Sequence, residues 1–152
     1  MSGKSHKGFW KITAKILFVL YIIVLVYFLF FSERYGRSGA QIYRYNLVPF
    51  KEIRRYIKYR KLFGWEYFIV NIYGNILAFV PFGFFLPIIS KNNRSFWSVT
   101  LYGFEFTLGI ELVQLSFQVG TFDVDDIIMN TLGAIGGYII FAIFRKKLKR
   151  FM

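Results

Sequence analysis

The chain has no cysteine and one histidine, His6, in a basic N-terminal tail. Disulfides and thiolate metal sites are therefore excluded, and a His-based metal centre or catalytic triad cannot be built within one chain. Acidic residues are few, eight Asp and Glu against twenty Lys and Arg, which leaves a formal charge of +12. Any metal would need oxygen ligands, a donor set that suits magnesium, calcium or manganese better than zinc. What the chain has in abundance is apolar surface. It is 56% hydrophobic and 22% aromatic, with 20 Phe and 11 Tyr among 152 residues. Long apolar runs of this kind indicate a membrane protein rather than a soluble domain. The basic residues are dispersed among the flanks of those runs, which argues against a nucleic-acid surface.

Four apolar runs predict an all-α integral membrane bundle of four transmembrane helices in a single domain spanning residues 1–152. The first, Ile12–Phe31, is long enough at helical rise to cross the hydrocarbon core and reads as an uncleaved anchor. Ser38, Gly39 and Ala40 lie too far past it to serve as a signal cleavage site. The second, Tyr67–Ile89, contains Gly74, Pro81 and Gly83, and Pro81 should kink or break the helix. The third is Phe96–Val119 and the fourth Val124–Phe144. In the fourth, Gly133 and Gly137 have the G-x-x-x-G spacing that lets another helix approach closely.

Between the first two runs, Pro49–Leu62 reads as a basic amphipathic helix. Phe50, Ile53, Tyr56 and Ile57 fall on one face, and Lys51, Arg54, Arg55, Lys58 and Lys61 largely occupy the rest. Such a helix lies in the headgroup plane and attracts anionic lipid. An even number of spans puts both termini on one side. The basic tails favour the cytoplasm, although the first loop carries nine Lys and Arg against eleven for the tails and the second loop together.

The polar residues inside the apolar runs are the candidate site. Asp123, Asp125 and Asp126 crowd the start of the fourth run and Asn130 follows about one turn later, while Glu111 and Gln114 lie three apart in the third. Ionisable groups at or below a bilayer surface are read as functional by default. The short connection near Gly120 makes the last two helices neighbours, so Glu111, Gln114, Asp126 and Asn130 are expected to converge, with Asp123 and Asp125 at the rim. Asp123 and Asp125 could equally satisfy free backbone donors at the helix start, and Asn130, Gln114, Asn71 and Asn75 could be interhelical hydrogen-bond glue. Glu105, six residues before Glu111, falls on another face. Paired carboxylates could hold a divalent cation such as magnesium against a phosphate, with Glu111, Asp123 and Asp126 as ligands, or supply a general base. Arg54, Arg55 and Lys58 could clamp the phosphate from the interfacial helix.

Four segments together resemble the VanZ-like family of small integral membrane proteins: Asn46–Phe50 (NLVPF), Asn71–Gly83 (NIYGNILAFVPFG), Glu111–Gln114 (ELVQ) and Phe122–Gly137 (FDVDDIIMNTLGAIGG). They place a VanZ-like region at about 40–144, after the anchor. The resemblance carries over Asn46, Pro49, Asn75, Pro81, Glu111, Gln114, Asp123, Asp125, Asp126 and Asn130. Where a basic residue would be expected just ahead of the last aspartate motif, this chain has Gly120, Thr121 and Phe122. The resemblance implies a bacterial cell-envelope protein of the cytoplasmic membrane, in a family whose founding member is tied to low-level resistance to the glycopeptide teicoplanin. It implies no settled enzymatic activity.

The expected role is therefore action at the outer membrane face on a lipid-linked phosphate or cell-wall precursor headgroup. Catalysis would fall to Glu111, Asp123 and Asp126, and binding to Asn75, Gln114, Asp125, Asn130, Arg54, Arg55 and Lys58. The alternatives are a non-catalytic packing or assembly module and a small lipid transporter, the latter suggested by the interrupted second run.

Overall fold

A computed structural model describes residues 2–31, 45–90, 92 and 94–148. Residues 38–40 and the cations Arg34, Arg37, Arg44, Lys91, Lys149 and Arg150, which enter the cleavage-site and charge arguments, lie outside the described residues. The order is α1 (Ser2–Phe31), β1 (Tyr45–Asn46), α2 (Lys51–Phe63), α3 (Trp65–Ile89), α4 (Phe96–Phe117), β2 (Phe122–Asp123) and α5 (Val124–Leu148). Among the described residues the regular structure is all helical apart from the two short strands.

Among the described residues, three helical segments are long and apolar enough to cross a membrane: Phe9–Phe30 in α1, all of α3, and Val124–Lys146 in α5. The expected set of four is met for these three. α4 is long enough, but Ser, Thr and Gly together with Glu105, Glu111 and Gln114 dilute its apolar character.

α3 and α5 form the most extensive helix pair, and glycine is the reason. Gly133 and Gly137 of α5 lie against the carbonyls of Ile76 and Val80, and Gly83 of α3 lies against the carbonyl of Ala134. A Cβ at any of the three would overlap backbone, so the two helices meet main chain to main chain. α4 closes on α5 where Gly103 meets the Ala134 methyl. α1 joins through Tyr21, whose Oη donates to the Ala78 carbonyl at 2.7 Å, and through Leu25 and Leu29, which pack with Phe79 and Ile110. Phe82 and Phe106 stack in parallel between α3 and α4, with centroids 5.1 Å apart. The other face of α1 exposes Ile16, Leu20, Ile23, Val24 and Tyr27, as a lipid-facing helix should.

α3 runs without interruption through Pro81 and Pro87. The break expected at Pro81 is absent. Close packing against α5 and α1 accommodates the missing hydrogen bond within a continuous helix. The interruption on which a transporter reading rested is therefore not there.

The first loop is tied to the last helix. β1 pairs in parallel with β2, Tyr45 opposite Phe122 and Asn46 opposite Asp123. Pro49 lies in the turn before α2 rather than in its first turn, and Phe50 takes the left-handed conformation (φ 63°) at the helix entrance. Gly64 (φ 91°) makes the one-residue corner between α2 and α3, a conformation that glycine adopts without Cβ strain.

Candidate functional site

Beneath α2 lies a cavity of about 940 Å³, walled by side chains from all five helices and from both strands. Its position follows from the connections. The α4–β2–α5 turn brings the ends of α4 and α5 together, β1 pins the first loop across that turn, and α2 roofs the space. Among the described residues, five acidic side chains line it: Glu52, Glu66, Glu111, Asp123 and Asp126. Among the described residues, Lys51 and Arg55 are its cations.

Glu111 sits on the buried face of α4 and is 3% exposed. One of its oxygens, Oε2, accepts from the backbone N–H of Asp123 at 2.9 Å. Asp123 is the N-cap of α5. Its Oδ1 accepts from the Asp125 N–H at 2.9 Å and from the Asn46 side-chain nitrogen at 3.0 Å. Burial raises the Asp123 carboxyl above its usual value, and the charges of Asp125 and Glu52 add to this, against the pull of its hydrogen bonds to Asp125 and Asn46. Asp126, on the next turn face, accepts from Asn75 Nδ2 at 2.6 Å. Gln114 donates from Nε2 to the Leu29 carbonyl at 3.0 Å, which fastens α4 to the end of α1. Burial and the nearby Asp126 also hold the Tyr56 hydroxyl well above its ordinary pKa, so it stays protonated at the roof of the cavity. Arg55 pairs with Glu52 at 2.8 Å.

The structure thus brings Glu111, Gln114, Asp123, Asp126, Asn75 and Arg55 to one cavity. Four of the expected site residues stand elsewhere. Asp125 is not at the rim: it is 0% exposed, and its carboxylate accepts from the backbone N–H groups of Phe50 (2.5 Å), Glu52 (2.7 Å) and Ile53 (3.1 Å). It caps a helix, though α2 rather than its own, because α2 has no side-chain cap of its own. Asn130 faces α4 instead of the cavity; its Nδ2 donates to Thr107 Oγ1 at 2.8 Å, and its Oδ1 has no partner. Arg54 and Lys58 point away from the cavity and are exposed, since α2 turns Glu52, Arg55 and Tyr56 inward. Among the described residues, no three His, Asp or Glu side chains are grouped so as to hold a metal ion.

The sequence reading missed Glu52, Glu66, Lys51, Tyr56 and Tyr67 as lining residues. The sequence put Tyr56 on an apolar face with Phe50, Ile53 and Ile57 and laid that face in the headgroup plane; Phe50 and Ile57 are exposed, while Tyr56 lines the cavity. Nothing marked Glu52, four before Tyr56, as sharing it beyond its helical spacing.

A family model described as VanZ/LLP1 matches residues 18–145, a stretch that takes in the second half of α1 as well as the four motifs. Protein VanZ of Enterococcus faecium is 23% identical over 145 residues, covering 92% of this chain and 80% of that protein. No solved structure matches. Apolar helices of spanning length and the family match together make this a multi-pass membrane protein, and the chain belongs to the VanZ/LLP1 family.

Proposed function

We propose that this chain binds the polar head of an envelope lipid, a lipid-linked phosphate or cell-wall precursor, in the cavity under α2 at the outer face of the bacterial cytoplasmic membrane. The observation that carries the reading is the convergence of buried carboxylates and amides from α3, α4 and α5 in one cavity beside a basic helix. Buried polar groups among apolar helices are expensive unless matched, so a cavity that collects them is a site for a polar group from outside.

In this reading α4 is a fourth span shielded by its neighbours, both termini are cytoplasmic, and α2 rests in the headgroup plane. The exposed Leu47, Val48, Phe50 and Ile57 beside its cations fit that placement. Holding or masking such headgroups would change what a glycopeptide can reach, which connects the cavity to the teicoplanin phenotype that the family resemblance implies. Glu111 and Asp126 are the principal contacts, with Asn75, Gln114 and Asp123 supporting them. Asp125 and Asn130 act as structural ties, so a pure packing role applies to those two rather than to the whole set.

The test is to replace Glu111 and Asp126 singly with Ala and to measure teicoplanin tolerance at matched membrane levels. Loss in both variants is expected. Full tolerance in both removes the proposal.

A further inference from the structure

The hydrogen-bonding state of the cavity wall narrows what the headgroup carries. Among the described residues, four amides line it: Asn46, Asn71, Asn75 and Gln114. Each already donates from its side-chain nitrogen to a protein acceptor: Asp123, the Tyr67 carbonyl, Asp126 and the Leu29 carbonyl, respectively. Acceptors are left over instead. Glu111 uses one carboxylate oxygen, on a backbone N–H, and Asp126 uses one, on Asn75. Asp123 makes both of its bonds through Oδ1. The second oxygens of these three carboxylates, and the side-chain carbonyl oxygens of Asn75 and Gln114, have no hydrogen-bond partner among the described residues. No described cation forms an ion pair with Glu111, Asp123 or Asp126, and the ion pair at the cavity mouth is taken by Glu52. Glu111 in particular is more than nine-tenths buried, with its second oxygen left open to the cavity. A wall of free acceptors on unpaired carboxylates is complementary to a compact group with several N–H donors and a positive charge.

We infer that the cavity recognises the primary ammonium of a zwitterionic, amine-bearing phospholipid headgroup; this rests on the headgroup reading above. The ammonium sits between Glu111 and Asp126, and the lipid phosphate faces Lys51 and Arg55 at the roof. Phe28 and Val70, which line the cavity and are exposed, give it an apolar flank along which acyl chains continue into the bilayer. A headgroup without an amine can meet Lys51 and Arg55 through its phosphate but offers no donor to the carboxylates below, so the wall selects for the amine. The overall charge of +12 would favour anionic lipid around the protein, which makes selection of an amine a property of the cavity alone.

The experiment is native mass spectrometry of the full chain released from micelles holding equal amounts of phosphatidylethanolamine, its N-acetyl derivative and phosphatidylglycerol, with the same acyl chains. The expected result is retention of phosphatidylethanolamine about tenfold above the other two, as a charge-assisted contact would give. Glu111→Gln and Asp126→Asn should each bring that ratio towards unity, while Arg55→Ala lowers retention of phosphatidylethanolamine and phosphatidylglycerol alike. The wild-type comparison with the N-acetyl lipid needs no variant to fold. Equal retention of the amine and its N-acetyl derivative overturns the ammonium inference and leaves the headgroup reading standing. Retention of none of the three above the detergent background overturns both. Displacement by free glycerophosphoethanolamine at the concentration of the lipid overturns the lipid origin of the amine.

Discussion

Asp125 offers the sharpest perturbation, because its carboxylate accepts three backbone hydrogen bonds from a helix more than seventy residues away in sequence. Hydrogen bonds to a charged acceptor contribute about 1.5–3 kcal/mol each. They are not additive here, since the first turn of α2 can tilt towards water once released. Asp125→Ala should therefore cost about 3–5 kcal/mol, a loss of the size seen when one partner of a buried charged set is removed. Asp125→Asn keeps one acceptor oxygen but turns an amino group towards backbone donors, and should cost about half as much, roughly 2 kcal/mol. The assay is hydrogen–deuterium exchange on the protein in nanodiscs, followed over residues 45–63. In Asp125→Asn the amides of Glu52 and Ile53 should exchange about thirtyfold faster, with α3 unchanged. Native exchange at Glu52 and Ile53 in Asp125→Ala would refute the capping role, and with it the argument that Asp125 is absent from the cavity for structural reasons.

Glycine at the α3–α5 contact makes a paired prediction. Gly137→Ala places a methyl on the Val80 carbonyl and should destabilise by about 1–3 kcal/mol, whereas Gly136→Ala has room and a better helix propensity, so its thermal midpoint should hold or rise. Thr107→Val removes the partner of Asn130 and should lower thermal stability by about 0.6–1.7 kcal/mol, the range for interhelical bonds in membranes, with lipid retention unchanged. Asp123 titrates above its usual 3.8 because of burial, so the folded state holds that proton more tightly than the unfolded chain does. Its contribution to stability therefore falls as pH rises from about 4 through the raised value and is level beyond it. The thermal midpoint of Asp123→Asn against pH should lack that component of the wild-type slope.

The helices were legible because twenty-residue apolar runs admit few alternatives in a membrane, and the Gly133–Gly137 spacing announced a close contact. It did not announce the partner, which is α3, a helix with its own facing Gly83. Glu111 and Asp126 were legible as a pair because a tight connection forces adjacency. Asp125 and Asn130 were misplaced for a definite physical reason. Asp125 and Asp126 point about 100° apart on the helix, so the one taken up by the amides of α2 leaves the other to the cavity, and which serves which depends on where the first loop docks. That docking rests on a two-residue strand pair with no propensity signal of its own. The same gap hid Glu52, whose orientation is fixed only once α2 is capped from α5. Pro81 did not break α3 because neighbouring helices hold a packed helix together across one missing hydrogen bond.

The reach of Asp125 to the start of α2 also sets an order of assembly. During synthesis, residues 50–53 leave the ribosome long before Asp125 is made, so the amphipathic segment first meets the bilayer without its cap. Only when the last helix inserts are those amides satisfied and the roof fixed in place. The cavity is therefore the final part of the protein to form, and a chain truncated ahead of its last span would possess most of the lining residues yet no closed chamber.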